Sequence, residues 1–185
     1  DVPSIYEVPL KMHQQHLDEI VLTKTGLPIN GEPHLEPWLN FLHRMKNATK
    51  TVRIGLVGKY VELPDAYKSI NESLFQAATY NDRKLDLQYI HSEKLNSGNV
   101  DAMLSSLDGV LIAPGFGQRG IEGKFIALKY AREHDIPTFG VCLGMQCMVI
   151  EYARDVLGYT DANSTEMDVT TKHNVIDLME EQKSI

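Results

Sequence analysis

The sequence predicts an α/β fold with a doubly wound, mostly parallel sheet. Short apolar runs alternate with longer segments whose apolar residues recur at helical spacing. The apolar runs are nearly continuous, as expected for strands that helices cover on both faces. Turn-forming glycines and prolines follow two of these runs. Together these three observations indicate a sheet that binds ligands at the carboxyl ends of its strands.

Composition indicates a globular protein and excludes several classes. The chain has 185 residues, of which 43% are hydrophobic and 23% charged, and no apolar run approaches the ~18 residues of a membrane span. A net charge of -7 argues against nonspecific binding of nucleic acid. The two cysteines imply no disulfide framework, and no signal peptide opens the sequence. We therefore expect a cytoplasmic protein without nucleic-acid or membrane partners.

The first fifty residues differ in pattern from the rest. Residues 1–10 predict a short strand between prolines, and residues 11–25 a one-sided helix that stops at Gly26. Turn formers cluster in residues 27–34 and predict a linker. Residues 36–45 predict an amphipathic helix that lies on a neighbouring element.

The α/β region is predicted to begin at residue 51. Its elements are read from apolar periodicity. Strands are predicted at residues 52–58, 85–90, 109–113 and 138–141, and helices at residues 66–80, 100–107, 122–134 and after residue 142.

A Gly-x-Cys-x-Gly turn connects the last strand to the last helix. Strand and helix backbones approach closely at such an elbow, which is why small residues are needed at Gly140 and Gly144. Cys142 would sit at a helix N-terminus, where free N–H groups and the helix dipole favour a thiolate. A cysteine at the end of a buried strand is more often an inert core residue, but the glycines favour a nucleophile. Cys147, one turn into the helix, keeps the core interpretation.

A second Gly-rich loop, residues 113–120, follows the third predicted strand. It lies at the same sheet edge as Cys142 if the sheet is parallel. Attack of a thiolate on a carbonyl creates an oxyanion, which backbone N–H groups stabilise. Gly115 and Leu143 are the candidate donors. Alone, the loop could equally be a tight turn or a phosphate nest.

Several stretches resemble a known family. The run GVCLGMQ at residues 140–146 resembles the nucleophile motif of class I, triad-type glutamine amidotransferases. Residues 58–70, 115–123 and 163–166 are similar to the CTP synthase family within that group. Residues 4–9 look like the end of that family's synthetase domain. The resemblance therefore covers nearly the whole chain.

The resemblance implies a domain organisation. Residues 1–30 would be the tail of the synthetase (amidoligase) domain and residues 31–50 an interdomain linker. Residues 51–185 would be the N-terminal part of the glutamine amidotransferase domain. Its sheet would be flavodoxin-like and incomplete at its C-terminal end.

The resemblance also implies an activity and its ligands. The family aminates UTP to CTP with ATP, using ammonia that it releases from L-glutamine. Mg²⁺ and ATP would bind outside this chain, as would UTP, and GTP would act as an effector. The family works as a homotetramer. Residues Tyr60, Arg119 and Gly120 would border the GTP site.

Individual site roles follow from the motif matches. Cys142 would be the catalytic nucleophile that forms a glutamyl thioester. Glu166 would face the α-amino group of glutamine, although an isolated carboxylate in a polar loop is usually only solvated. The substrate-binding residues implied are Gly115, Leu143, Gly144, Met145, Gln146 and Glu166, and no metal ligand is implied.

Two departures from the family pattern matter. Pro114 occupies the place of the first glycine in the family's Pro-Gly-Gly-Phe-Gly loop, and proline has no N–H to donate. Gly115 must therefore donate instead.

The second departure is that no base for the nucleophile is identified. The family's His-x-Glu pair lies downstream of the cysteine, beyond residue 185, so the chain alone is expected to be inactive. The His-x-Glu triplets that begin at His34 and His91 precede the nucleophile and are interpreted as coincidences. Two rival interpretations remain, a noncatalytic amidotransferase-like module for assembly or regulation, and another cysteine hydrolase on the same sheet.

Overall fold

A parallel sheet forms the centre of the computed structural model, which describes residues 1–63 and 65–179. Its strands are β1 (Lys50–Gly58), β2 (Arg83–His91), β3 (Gly109–Ile112) and β4 (Thr138–Gly140). The helices are α1 (Val8–Gln14), α2 (Leu17–Thr25), α3 (Glu36–Asn47), α4 (Lys68–Tyr80), α5 (Val100–Leu104), α6 (Ile121–Glu133) and α7 (Leu143–Asp155). Two further strands, β5 (Asn163–Ser164) and β6 (Asn174–Ile176), form a small second sheet.

The strands of the main sheet lie in the order β2-β1-β3-β4, and every neighbouring pair is parallel. Val57 pairs with Ile112 and Ile112 with Gly140, so three strands end at one edge. The loops that follow β3 and β4 therefore meet at this edge, as predicted. This confirms the predicted α/β fold with a mostly parallel sheet.

Helices cover both faces of the sheet. Neighbouring residues of a strand point to opposite faces, so apolar residues in sequence pack against helices on both sides. Leu56 packs on one face with Tyr67, just before α4. Val57 packs on the other face, in a larger cluster with residues of α5, α6 and α7 such as Leu104 and Leu128. Leu56 and Val57 are both fully buried. The apolar, buried C-terminal end of β1 reflects this double coverage.

The predicted strand at residues 1–10 is wrong. The Ser4 hydroxyl accepts a hydrogen bond from the Tyr6 N–H at 3.3 Å and starts a 3₁₀ turn, Ile5–Glu7. Pro9 then lies in the first turn of α1, where its fixed φ suits a helix and its missing N–H costs nothing. The helix predicted for residues 11–25 is two helices, because His16 adopts a left-handed conformation (φ 57°). Gly26 does end α2, in a left-handed cap.

The predicted amphipathic helix is confirmed as α3, which packs on α4. An aromatic cluster joins the two helices to the N-terminal turn and consists of Tyr6, Trp38, Phe41 and Phe75, with ring centroids 5.2–5.9 Å apart. The Trp38 indole N–H also donates to the Tyr6 carbonyl at 2.9 Å. These contacts tie the first forty residues to the α/β region.

No helix within residues 1–63 and 65–179 is long and apolar enough to cross a membrane.

Candidate active site

The elbow between β4 and α7 needs both of its glycines. A Cβ on Gly140 would lie 2.6 Å from the Gly144 carbonyl carbon, and a Cβ on Gly144 only 2.1 Å from the Ile112 carbonyl oxygen. Both distances are shorter than any van der Waals contact. The close approach inferred from the Gly-x-Cys-x-Gly pattern is therefore present in the structure.

Cys142 occupies the crest of this elbow in a strained conformation. Its φ of 52° and ψ of -114° lie outside the regions that side-chain-bearing residues normally adopt. Such strain costs on the order of 1–3 kcal/mol and is found mainly at functional sites. The residue is solvent-exposed and caps the N-terminus of α7. It is thus presented as a nucleophile would be.

Cys147 has the opposite environment. It is fully buried in the core between α7 and the sheet. Burial raises the pKa of its thiol to about 11, so the thiol is protonated at neutral pH. The core interpretation of this residue is confirmed.

The loop after β3 lies directly against the elbow. A Cβ on Gly115 would be 3.7 Å from Cδ2 of Leu143, the first residue of α7. Within the described residues, the backbone N–H groups of Gly115 and Leu143 donate no hydrogen bond. The two residues predicted to donate to the oxyanion are therefore neighbours, and their N–H groups form no other hydrogen bond among the described residues.

Two buried lysines hold this loop, and neither was predicted. The Lys124 ammonium, on α6, donates to the Ala113 carbonyl at 2.6 Å, and Lys59 donates to the Phe116 carbonyl. Lys124 is 2% exposed. It follows Ile121 by three residues and precedes Leu128 by four, so helical spacing already placed it on the buried face.

The first turn of α7 contains the remaining motif residues. Gly144 is buried, whereas the Met145 side chain is about half exposed. Gln146 is partly buried, and its side-chain Oε1 is buried without a hydrogen-bond partner among the described residues. This free acceptor suits a substrate N–H group, which is consistent with the predicted pocket role of Gln146.

Glu166 lies exposed in the turn after β5. The Ser164 hydroxyl fixes that turn by accepting a hydrogen bond from the Glu166 N–H at 3.2 Å. The Gln118 side-chain amide donates to the Met167 carbonyl at 2.7 Å, so the turn is tied to the loop after β3. The structure therefore places the Glu166 segment beside the predicted oxyanion loop.

A cavity of about 310 Å³ lies beneath this link. None of the predicted site residues lines it. Its lining residues are Gln118, Ile121, Glu122, Phe125, Arg154, Asn163, Met167 and Asp168.

The three residues implied for a GTP site lie together. The Arg119 guanidinium is 6.0 Å from the centre of the Tyr60 ring, and the Lys59 ammonium is 5.2 Å from the same point. Arg119 also pairs with Glu93 at 3.4 Å. Gly120 is left-handed (φ 78°) and approaches Lys59 closely, since a Cβ on Gly120 would lie 3.6 Å from the Lys59 Cβ. The cluster carries cationic and aromatic groups on one surface.

The two His-x-Glu triplets do not approach Cys142 in the way a base would. The first is exposed near the start of α3, with a His34–Glu36 separation of 3.8 Å. His91 ends β2, and two strands separate β2 from β4. Three inter-strand spacings amount to about 14 Å. This separation supports the interpretation of the His91 triplet as a coincidence.

Two further histidines, at the end of α6 and between β5 and β6, have local partners. His134 caps the C-terminal end of α6, at the sheet edge opposite the elbow, and its Nδ1 contacts the Tyr130 carbonyl at 2.9 Å. His173 Nδ1 lies 2.6 Å from Asp161 Oδ1. This hydrogen bond lowers the pKa of Asp161. Sequence reasoning missed the pair because its members are separated by a loop.

No group of three or more His, Cys, Asp or Glu side chains in residues 1–63 and 65–179 could hold a metal ion.

Comparison with known proteins identifies the class of protein to which this chain belongs. The family model for Glutamine amidotransferase class-I matches residues 62–184. The chain belongs to the class I glutamine amidotransferase family.

Individual proteins similar to this chain show which members of the family it resembles. The whole chain is 66% identical to a CTP synthase of Bacteroides fragilis and 62% identical to one of Porphyromonas gingivalis. It spans 35% and 34% of the lengths of these curated relatives. A solved structure, the Trypanosoma brucei CTPS glutaminase domain with bound acivicin, matches with a TM-score of 0.65 and 41% identity. That match covers 70% of this chain and 51% of that domain's chain.

Proposed function

We propose that this chain contributes the glutamine-hydrolysing nucleophile of a CTP synthase. The observation that carries the proposal is the strained, exposed Cys142 between two glycines that no larger residue could replace. High identity to CTP synthases over the whole chain supports the choice of enzyme. The intact enzyme would aminate UTP to CTP with ATP and with ammonia from L-glutamine.

In the proposed reaction the Cys142 thiolate attacks the side-chain carbonyl carbon of glutamine. A C–S bond forms, and the negative charge passes to the carbonyl oxygen, where the N–H groups of Gly115 and Leu143 stabilise it. Collapse of this intermediate breaks the C–N bond, and the departing nitrogen takes a proton and leaves as ammonia. Water then hydrolyses the thioester and releases glutamate and the thiol. Gln146 would line the substrate pocket, and Glu166 would face the substrate's α-amino group.

The proton donor and acceptor for this reaction are proposed to lie outside residues 1–185. The positions of His91 and His134 support this, since two strands separate the strand of His91 from β4 and His134 lies at the opposite sheet edge. Residues 1–30 are proposed to belong to a synthetase domain and residues 31–50 to a linker.

The nucleotide sites are proposed as follows. Mg²⁺, ATP and UTP are proposed to bind elsewhere in the enzyme, as the resemblance to CTP synthases implies. GTP would bind as an effector near Tyr60, Arg119 and Gly120, where cationic groups surround an aromatic ring. The intact enzyme would be a cytoplasmic homotetramer.

The test is to replace Cys142 with Ala in the full-length protein that carries this chain. Glutamine-dependent CTP formation is expected to be abolished, while ammonia-dependent formation continues, because only the ammonia source is removed. Cys147→Ala is the matched control and should retain glutamine-dependent activity. A diazo-ketone analogue of glutamine should label Cys142 alone.

Two outcomes would contradict the proposal. Loss of both activities in Cys142→Ala would refute the division of labour between the two domains. A wild-type protein that neither hydrolyses glutamine nor reacts with the analogue would instead be a noncatalytic module.

A further inference from the structure

Lys124 is a buried charged residue to which the proposed reaction gives no role. It lies on α6 under the loop that follows β3, and its ammonium donates to the Ala113 carbonyl at 2.6 Å. Only 2% of the residue is exposed.

Burying this ammonium is unfavourable. Burial lowers the pKa of Lys124, the neighbouring Lys59 lowers it further, and the nearby thiols of Cys147 and Cys142 oppose the shift. A Met or Leu side chain would fill a similar volume in the same core without that penalty. Packing therefore does not explain why the position holds a lysine.

The geometry of the loop offers an explanation. Lys124 binds the carbonyl of Ala113, and Lys59 binds the carbonyl of Phe116, so the loop is held at both ends. Between them lies Gly115, where a Cβ would be 3.8 Å from the Lys124 ammonium and 3.6 Å from Lys59 Cε. Both lysines thus flank the residue that must supply the oxyanion N–H.

Pro114 makes the orientation of the Gly115 N–H important. It has no N–H, and the Ala113 N–H already donates to the Val57 carbonyl at 2.9 Å, so Gly115 is the first residue of the loop with a free N–H among the described residues. A rotation of the Pro114–Gly115 peptide would remove that donor, and carbonyl groups fixed on either side resist the rotation.

We propose that Lys124 is a positioning residue that, together with Lys59, holds the loop after β3 in the one orientation that stabilises the oxyanion. This inference rests on the proposed glutaminase function. Lys124 acts through the loop and does not touch the substrate.

The test separates steps that create an oxyanion from steps that do not. Glutamine hydrolysis passes through an oxyanion, whereas alkylation of the thiolate by iodoacetamide forms a C–S bond and releases iodide without one. In full-length protein without GTP, Lys124→Met should lower kcat for glutamine hydrolysis by about tenfold to a hundredfold, since one oxyanion donor is worth about 10²- to 10³-fold. KM for glutamine should stay within about threefold, and the Cys142 alkylation rate within about twofold.

Lys129→Met is the matched control. Lys129 lies on the same helix with its side chain about half exposed, and it pairs with Asp155 at 3.5 Å. Its replacement should change neither rate.

Each alternative outcome has a distinct meaning. Glutamine hydrolysis by Lys124→Met within about twofold of wild type overturns the inference. Equal losses of hydrolysis and alkylation also overturn it, because Lys124 would then act on the thiol and not on the loop. If Lys124→Met does not fold, Lys59→Met carries the same test with the same expected split. A wild-type protein without glutaminase activity refutes the proposed function itself.

Discussion

The elbow edge of the sheet and the N-terminal helices α1 and α2 are built in opposite ways. At the elbow, backbones touch, Gly144 has no room for a methyl group, and charged side chains are buried. In α1 and α2 no residue is buried, and apolar side chains such as Leu17, Ile20 and Val21 are 43–49% exposed. The comparison teaches that close backbone packing fixes the elbow, whereas α1 and α2 bury no residue and follow a turn whose Tyr6 packs on α3 and α4.

The largest effect is expected from Gly144→Ala. The new methyl group would meet the Ile112 carbonyl oxygen at 2.1 Å, and both partners are backbone, so α7 must shift away from β3. We expect a loss of about 3 kcal/mol in the free energy of unfolding, the upper end of overpacking costs, and loss of glutaminase activity. Urea denaturation measures the change in stability. An ammonia-release assay on the full-length protein measures the change in glutaminase activity.

Gly98→Ala is the control for this substitution. Gly98 is exposed, and a Cβ there would meet only the Asn96 side chain, at 3.3 Å. Its free energy of unfolding should change by less than about 0.5 kcal/mol. Equal effects at Gly144 and Gly98 would show that the elbow is less tightly constrained than the contacts indicate.

A smaller effect concerns the two thiols in the same region. Because burial raises the pKa of Cys147 to about 11, only about one thiol in a thousand is ionised at pH 8, and the fraction rises about tenfold per pH unit below that pKa. We expect iodoacetamide to modify exposed Cys142 at least ~100-fold faster than Cys147 at pH 8. The Cys147 rate should increase about tenfold from pH 8 to pH 9. Peptide mass mapping distinguishes the two sites.

Unfolding in urea provides the reference for this measurement, since both thiols should then react at similar rates. Similar rates in the folded protein would mean that Cys147 is accessible and that α7 is less firmly packed than its burial indicates.

The smallest effect is expected in the N-terminal helices. Val21 is 49% exposed on α2, so Val21→Ser should change the free energy of unfolding of this chain by less than about 0.5 kcal/mol. Urea denaturation of the chain is the measurement, and a loss above about 1 kcal/mol would contradict it. A larger loss in a full-length protein than in residues 1–185 would show that another part of that protein covers α2, as the proposed synthetase domain would.

The main sheet was predictable because its strands are covered on both faces. Such strands are nearly all apolar, as in β1, and the pattern can be recognised without knowledge of their partners. The helix at residues 8–14 was not predictable in this way, because prolines there suggested an extended segment. Pro9 starts a helix only because Ser4 caps the preceding turn, which is a side-chain contact and not a pattern.

The candidate site shows the same distinction between features that a local sequence pattern predicts and features that depend on side-chain contacts. Cys142, Gly140 and Gly144 were predictable because a close strand-to-helix approach imposes its requirement on residues adjacent in sequence. Lys124 was missed because a lysine is normally assigned to solvent, although its helical position pointed inward. The Asp161–His173 pair and the two short strands β5 and β6 depend on contacts between separated residues, which local patterns do not encode.

The strained backbone conformation of Cys142 has a consequence for the evolution of the sequence. Its positive φ costs free energy, so we expect natural selection to keep a side chain at this position only where the thiol has a use. A lineage that no longer used the thiol would gain stability from glycine at this position, which adopts the same φ without strain. Under the proposed function, we expect cysteine at this position in gene copies selected for catalysis and glycine in copies released from that selection.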